Sequence, residues 1–238
     1  MWKALVVVAV LLLGGLVAAD RIGVNRAENE ISRQVAAQYS LSPAPSVSIG
    51  GFPFLTQAVS GTYDRIDVGI GAWTEQGVTV QDVRVRLEGL DAPLGDLING
   101  DQSHLRARTA TASAVIPYAV ILQQATAQGA QGVKNIARSG KDVLLEGSYN
   151  VLGRSLDLGV IVSLKPTAAG IVVTPQTVRA GGLIEVPIAV LQKDLTYTIP
   201  VTGLPLGSKI TSVVPEDGGV RVTGSGSDVP LNGSLKVQ

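Results

Sequence analysis

The stretch Ile49-Gly50-Gly51-Phe52-Pro53-Phe54-Leu55-Thr56-Gln57 runs on into Ser60-Gly61-Thr62-Tyr63-Asp64-Arg65-Ile66-Asp67-Val68 and carries both phenylalanines of the chain. Gly50 and Gly51 can take backbone angles closed to other residues, and Pro53 holds φ at about −65°. The two rings therefore leave a bent, stiff backbone and not a regular strand. Two readings of them stay open on the residues alone: a core plug at a sheet corner, or a pair of rings facing a ligand. Directly downstream, Ile66, Val68 and Ile70 alternate with Arg65, Asp67 and Gly69, the period of a strand with one face buried.

That period recurs over most of the chain. In Val78 to Leu87 the apolar parity changes from Val78 and Val80 to Val83, Val85 and Leu87, which predicts a β-bulge near Gln81-Asp82. Residues 90–101, with Pro93 and two glycines, read as a loop with a helical turn. From 104 to 115 the pattern alternates again, with His104, Arg106 and Arg108 on one face and Leu105, Ala107 and Thr109 on the other. Strands follow over 142–151 and at Leu156, Leu158, Val160, Val162 and Leu164, after a turn at Gly153-Arg154. Residues 166–170 turn into a strand at 171–174, and another strand is expected at 195–199. Lys209 to Val214 and Val220 to Thr223 form a closing hairpin around Asp217-Gly218, a dipeptide that supplies positive φ.

Three helices are expected. Residues 20–39 place Ile22, Ala27, Ile31, Val35 and Tyr39 at near-fourfold spacing and end before Ser42-Pro43. Residues 116–128 form the second, with Pro117 in its first turn and Gly129 near its end. Pro187 opens a short third one through Asp194. The expected architecture is α+β: a long N-terminal helix packed on a strongly curved, mostly antiparallel sheet. No linker divides residues 20–238, which are read as one domain.

Charged residues are 16% of the chain, against about 25% in ordinary soluble domains, while apolar residues stand at 45%. Ala4 to Ala19 is an unbroken apolar and glycine run after Lys3, short for a span of about 20 residues, with Val17-Ala18-Ala19 offering a cleavage site before Asp20. Residues 1–19 are thus a signal peptide or a signal anchor, and the body is exported. Removing them takes away one lysine and no acid, leaving 18 basic against 19 acidic residues. A near-neutral body argues against nucleic acid as a partner, because phosphate backbones need clustered Lys and Arg.

With no cysteine there is no disulfide, thiolate nucleophile or zinc-thiolate site. The single histidine, His104, reads as a solvated strand residue, and no Gly-x-Ser-x-Gly elbow occurs. Residues 132–141 superficially match a phosphate loop, but Asn135 and Asp142 stand where a glycine and a Ser or Thr belong. Asp64 and Asp67 face opposite sides of one strand, so they make no carboxylate pair. Asn232-Gly233-Ser234 matches a glycosylation acceptor by its three residues alone. No catalytic residue, metal site or cofactor is assigned.

The run at 49–68, with Leu204-Pro205-Leu206-Gly207 and Asp217 to Gly224, resembles the LmeA-type phospholipid-binding family of actinobacterial cell envelopes. The family is similar in turn to tubular lipid-binding (BPI-like) domains, in which a curved sheet wraps a long helix and leaves an apolar groove. The resemblance implies a monomeric, non-enzymatic envelope protein whose partners are phospholipid and a membrane surface, with a role in maintaining lipids or lipid-linked mannan (lipomannan). The residues expected to line the groove are Phe52, Phe54 and Leu55 of the bend and Ile66 and Val68 of the next strand. Val83, Val85 and Leu87, then Tyr118 and Leu122 of the second helix, and Leu158, Val160 and Tyr197 complete the set. Arg106 and Arg108 are the headgroup candidates, since a guanidinium pairs well with phosphate. The competing reading is a structural scaffold with a filled core; an envelope hydrolase is the third.

Overall fold

The computed structural model describes residues 2–75, 77–99, 101, 105–127, 132–151, 154–167, 170–180, 197–200 and 209–231. Its first element, α1 (Trp2–Tyr39), joins the apolar leader and the expected helix without a break. It ends where Ser40 turns left-handed at φ 52° and the Leu41 N–H reaches back 2.9 Å to the Ala36 carbonyl, a Schellman-type stop. Exposure divides this helix sharply: Trp2, Leu11 and Leu16 are open, whereas Asp20 is 2% exposed and Val24, Ala27 and Ile31 are buried. The packed stripe therefore runs through 20, 24, 27 and 31, and Ile22, expected on it, is exposed. Ile22 lies about 160° around the helix from Val24, so it cannot share that face.

Two compact units organise the described residues. One comprises Met1–Gly71, Arg84–Thr111 and Gly226–Val237; the other comprises chiefly Ala72–Val83 and Ala112–Ser225. In the first unit, α1 packs on β1 (Ser46–Gly50), where the Ile49 N–H donates to Glu28 Oε1 at 2.8 Å and Ser32 Oγ donates to the Pro45 carbonyl. The bend after β1 leads into α2 (Phe54–Ser60), a helix that the sequence pattern did not suggest, closed by Gly61 at φ 72°. Then come β2 (Thr62–Glu75), β3 (Val78–Asp91), α3 (Leu94–Asn99) and β4 (Arg106–Pro117). The core of this unit joins Val24, Ala27 and Ile31 of α1 to Ile49, Phe54, Tyr63 and Ile66, and to Leu90, Leu105 and Ala107.

The second unit continues with α4 (Tyr118–Ala127), β5 (Val133–Ser139), β6 (Asp142–Val151), β7 (Arg154–Thr167) and β8 (Gly170–Ala180). β9 (Tyr197–Pro200), β10 (Lys209–Glu216) and β11 (Gly219–Pro230) are the last of the described elements. Among the described residues two sheets result where one was expected: β1-β2-β3-β4-β11-β10 and β5-β6-β7-β8-β9. β5 to β9 pair antiparallel with their neighbours in sequence, so they satisfy one another's backbone groups as a meander. Alternation has the same period in either sheet, which is why the pattern did not reveal the division.

The expected irregularity in β3 is present. Asp82 takes φ 46°, where the apolar parity changes, and its carboxylate receives Arg221 Nη2 at 2.7 Å. Arg221 Nε also donates to Glu216 Oε1 at 2.6 Å, so one guanidinium holds the kink in β3 against the closing hairpin. That hairpin pairs Glu216 with Gly219 across Asp217-Gly218, as expected, but neither turn residue has positive φ. The phosphate-loop mimic at 132–141 is the β5–β6 hairpin region, turning at Gly140 with φ 65°. The helix expected at 187–194, the turn at 204–207, His104 and the Asn232 motif lie outside the described residues.

Candidate functional site

The motif that opens the chain's first bend is a local lock. Gln57 is buried; its Nε2 donates to the Gly50 carbonyl at 3.3 Å and its Oε1 accepts from the Asp64 N–H at 2.8 Å. One side chain thereby closes the end of β1 onto the start of β2. Gly51 sits in this turn at φ 95°, where a Cβ would come within 2.6 Å of both Asp64 Oδ2 and Gln57 Nε2. The glycine is required twice, by backbone angle and by space.

The two phenylalanines part company at this corner. Phe54 is 3% exposed, its ring centroid 6.4 Å from that of the wholly buried Tyr63. Phe52 is 57% exposed, with the Arg21 guanidinium carbon 5.2 Å from its ring centroid. Leu55 faces outward beside it. Ile66 belongs to the same core as Phe54, and Val68 and Leu87 pack half-buried against it. Val85 is half-buried, and Val83 is buried in the other unit.

In the second unit the structure brings four expected residues together: Tyr118, Leu122, Leu158 and Val160 share one apolar face of the β5–β9 sheet. Register explains it. Val143 opposes Val162, Leu145 opposes Val160 and Tyr149 opposes Leu156, while on the next strand pair Val160 opposes Val178 and Leu164 opposes Val173. Cross-strand aliphatic pairs of this kind make a smooth wall. α4 lays Tyr118, Ile121 and Leu122 on it, and the Tyr118 hydroxyl ties that helix to the closing hairpin through the Glu216 carbonyl at 2.9 Å. Val213, Val220 and Val222 of the hairpin belong to the same cluster. Tyr197 joins the edge of the sheet opposite Val173, its side chain outside the described residues.

The wall is incompletely sealed. Among the described residues, eight of its members are buried, but ten aliphatic side chains packed against them are only half-buried. Burial pushes the Tyr149 phenol up to about 12 and raises that of Tyr118, so this is a low-dielectric environment with neutral hydroxyls at its margin. Of the additional residues, Ile121, Leu145 and Val213 had the right apolar pattern, but pattern alone does not tell which strands share a face.

The opposite face of the same sheet mixes polar side chains with Leu144 and the buried Ile161. A cleft of about 490 Å³ there is lined by Lys134, Asn135, Glu146, Asp157 and Arg179 among others. Lys134 pairs with Asp157 at 3.2 Å, and Asn135 donates to Glu146 at 2.8 Å. Hydrogen bonds from Ser148 and Lys134 hold the Asp157 carboxyl below its ordinary range.

The headgroup candidates lie on β4. Both are exposed and alternate around the buried Ala107, as the pattern implied. Arg106 Nη1 is engaged by Asp228 at 2.7 Å. Arg108 spreads over Gly89, where a Cβ would clash with its guanidinium; Gly89 gives the guanidinium its resting place.

Neither the curated proteins nor the solved structures contain a match to the chain. The model of one known family, LmeA-like phospholipid-binding, matches residues 18–225, which take in the bend lock, most of both cores and the larger part of the closing hairpin. The chain belongs to the LmeA-like phospholipid-binding family.

Proposed function

We propose that this is an exported phospholipid-binding protein of the cell envelope that holds acyl chains against the apolar wall of the β5–β9 sheet, without catalysis. Family membership supports the ligand, and the observation that carries the location is the wall of half-buried aliphatic side chains around Leu158 and Val160. Covering apolar surface releases roughly 25 cal/mol per Å², so a chain lying on such a wall is held by burial with no catalytic group. Arg108 and Arg106 are the proposed phosphate contacts of the first unit, Arg108 the freer of the two because Asp228 already holds Arg106. The apolar helix at residues 2–19 supports export and residence at the membrane, where the protein maintains lipids or lipid-linked mannan. It acts as a monomer, with lipid and the membrane surface as partners and no nucleic acid.

Native mass spectrometry of the full chain purified from envelope membranes tests this. Phospholipid is expected as a bound mass, and the half-buried Leu156→Asn, which makes the wall polar near its rim, lowers the lipid-bearing fraction. Wild-type protein carrying no lipid, and taking none from vesicles, overturns the reading.

A further inference from the structure

Outside residues 1–19, the large apolar side chains that stand exposed among the described residues are Ile22, Phe52, Leu55, Val59 and Val214. Three of these five, Phe52, Leu55 and Val59, belong to the bend and α2 where α1 enters the protein, and Ile22 stands at the same level on the outer side of α1. Asp20 Oδ1 accepts the Leu55 N–H at 2.9 Å, Leu55 and Phe54 lie against Gly23, and Arg21 covers Phe52. The start of α2 is therefore level with residues 20–23. Leu55 and Val59, one turn apart, form its outer face, while Phe54 and Gln57 form its buried one. Val59 is 90% exposed.

The leader says what covers this patch. α1 is apolar and long enough to cross a membrane, with mean hydropathy 2.0 over its most apolar window. Residues 2–19 extend about 27 Å at about 1.5 Å per residue, close to the ~30 Å of a bilayer's hydrocarbon core. Residues 20–23 then fall in the interfacial layer, roughly 5–7 Å deep on each side. An aromatic ring, three aliphatic side chains and one cation resting on the ring and not on a carboxylate match the chemistry of that layer. We infer that the corner from Phe52 to Val59, with Ile22 and Arg21, is a membrane-docking surface that sits among the headgroups and upper acyl chains of a phospholipid bilayer, Arg21 pairing with a lipid phosphate. This rests on the reading that residues 2–19 occupy the membrane, and it makes α2 an interfacial helix beside them.

Because the chain has no cysteine, single-cysteine variants of the full-length protein can carry a nitroxide label. Val59→Cys, Leu11→Cys and Gln38→Cys are reconstituted in vesicles of phosphatidylcholine and phosphatidylglycerol, and accessibility to oxygen and to a water-soluble nickel chelate is read at each. Gln38 is exposed and about 24 Å farther along α1 than Ile22, so its label reports water. The expected result is a deep position for Leu11 and an interfacial one for Val59, with an oxygen-to-nickel ratio several-fold above that at Gln38. Leu11 in the bilayer with Val59 as wet as Gln38 overturns the docking surface and leaves the leader's placement intact. Leu11 in water overturns both. Spin–spin broadening at Val59 assigns the patch to a second copy of the chain and overturns bilayer docking. Arg21→Gln is expected to move the Val59 label outward; an unchanged depth overturns the phosphate contact.

Discussion

Phe52 and Phe54 are separated by a single proline, yet one is a core residue and the other a surface residue. Phe54 fills space beside Tyr63 with almost no solvent contact, while Phe52 turns back over Arg21. Their energetic weights should differ accordingly. Phe54→Ala is expected to cost about 3–5 kcal/mol, since the lost ring leaves a void that the packed neighbours cannot refill. Phe52→Ala should change stability by about 0.5 kcal/mol or less, as for other surface substitutions. Chemical denaturation of both variants gives the comparison, and equal losses would contradict the separation of roles. The physical reason for the split is the lock around Gly51 and Gln57, which sets the direction of the chain before either ring is placed.

At the scale of elements, the apolar wall depends on β6 and β7 keeping register while α4 and the closing hairpin share its apolar cluster. Tyr149, opposite Leu156, is the titrating group that reports on it. Burial raises its phenol from 10.0 to about 12. Because the folded value lies above the unfolded one, the neutral phenol's contribution to stability is complete below pH 10 and is lost as pH rises through 12. Stability measured by denaturant titration should therefore hold level up to about pH 10 and fall between pH 10 and about 12, and Tyr149→Phe should reduce the slope in that window. Tyr63 and Tyr118, also raised by burial, contribute to the slope that remains. A variant with an undiminished slope would show that Tyr149 ionises as freely folded as unfolded.

Over the whole molecule, the change in exposure along α1 separates the leader from the protein body. Every side chain described from Trp2 to Ala19 is exposed, and packing begins at Asp20. A chain beginning at Asp20 keeps the stripe of Asp20, Val24, Ala27 and Ile31, and the carboxylate on the Leu55 amide with it. It is expected to fold as a soluble protein with cooperative thermal unfolding, whereas a chain beginning at Ala27 loses Val24 and Asp20 and should be markedly less stable. Circular dichroism melts distinguish the two. A disordered product from the first truncation would mean that the leader contributes to the fold.

The sequence by itself determined the local structure. The alternation at 142–151 and 156–164 is β6 and β7, Ser42-Pro43 lies just beyond the end of α1, and the parity change at Gln81-Asp82 coincides with the left-handed Asp82. These depend on neighbours a few residues apart, whose spacing is written in the chain. It also carried the family, through a bend whose glycines, proline and glutamine are tied to one local geometry. Tertiary structure decided the rest. That β5 to β9 form a sheet of their own, that α2 exists, that Ile22 faces out, and that Leu158 and Val160 share a wall with α4 and the closing hairpin all depend on contacts between distant segments. Periodicity states which residues of one strand share a face, and only packing states what that face meets.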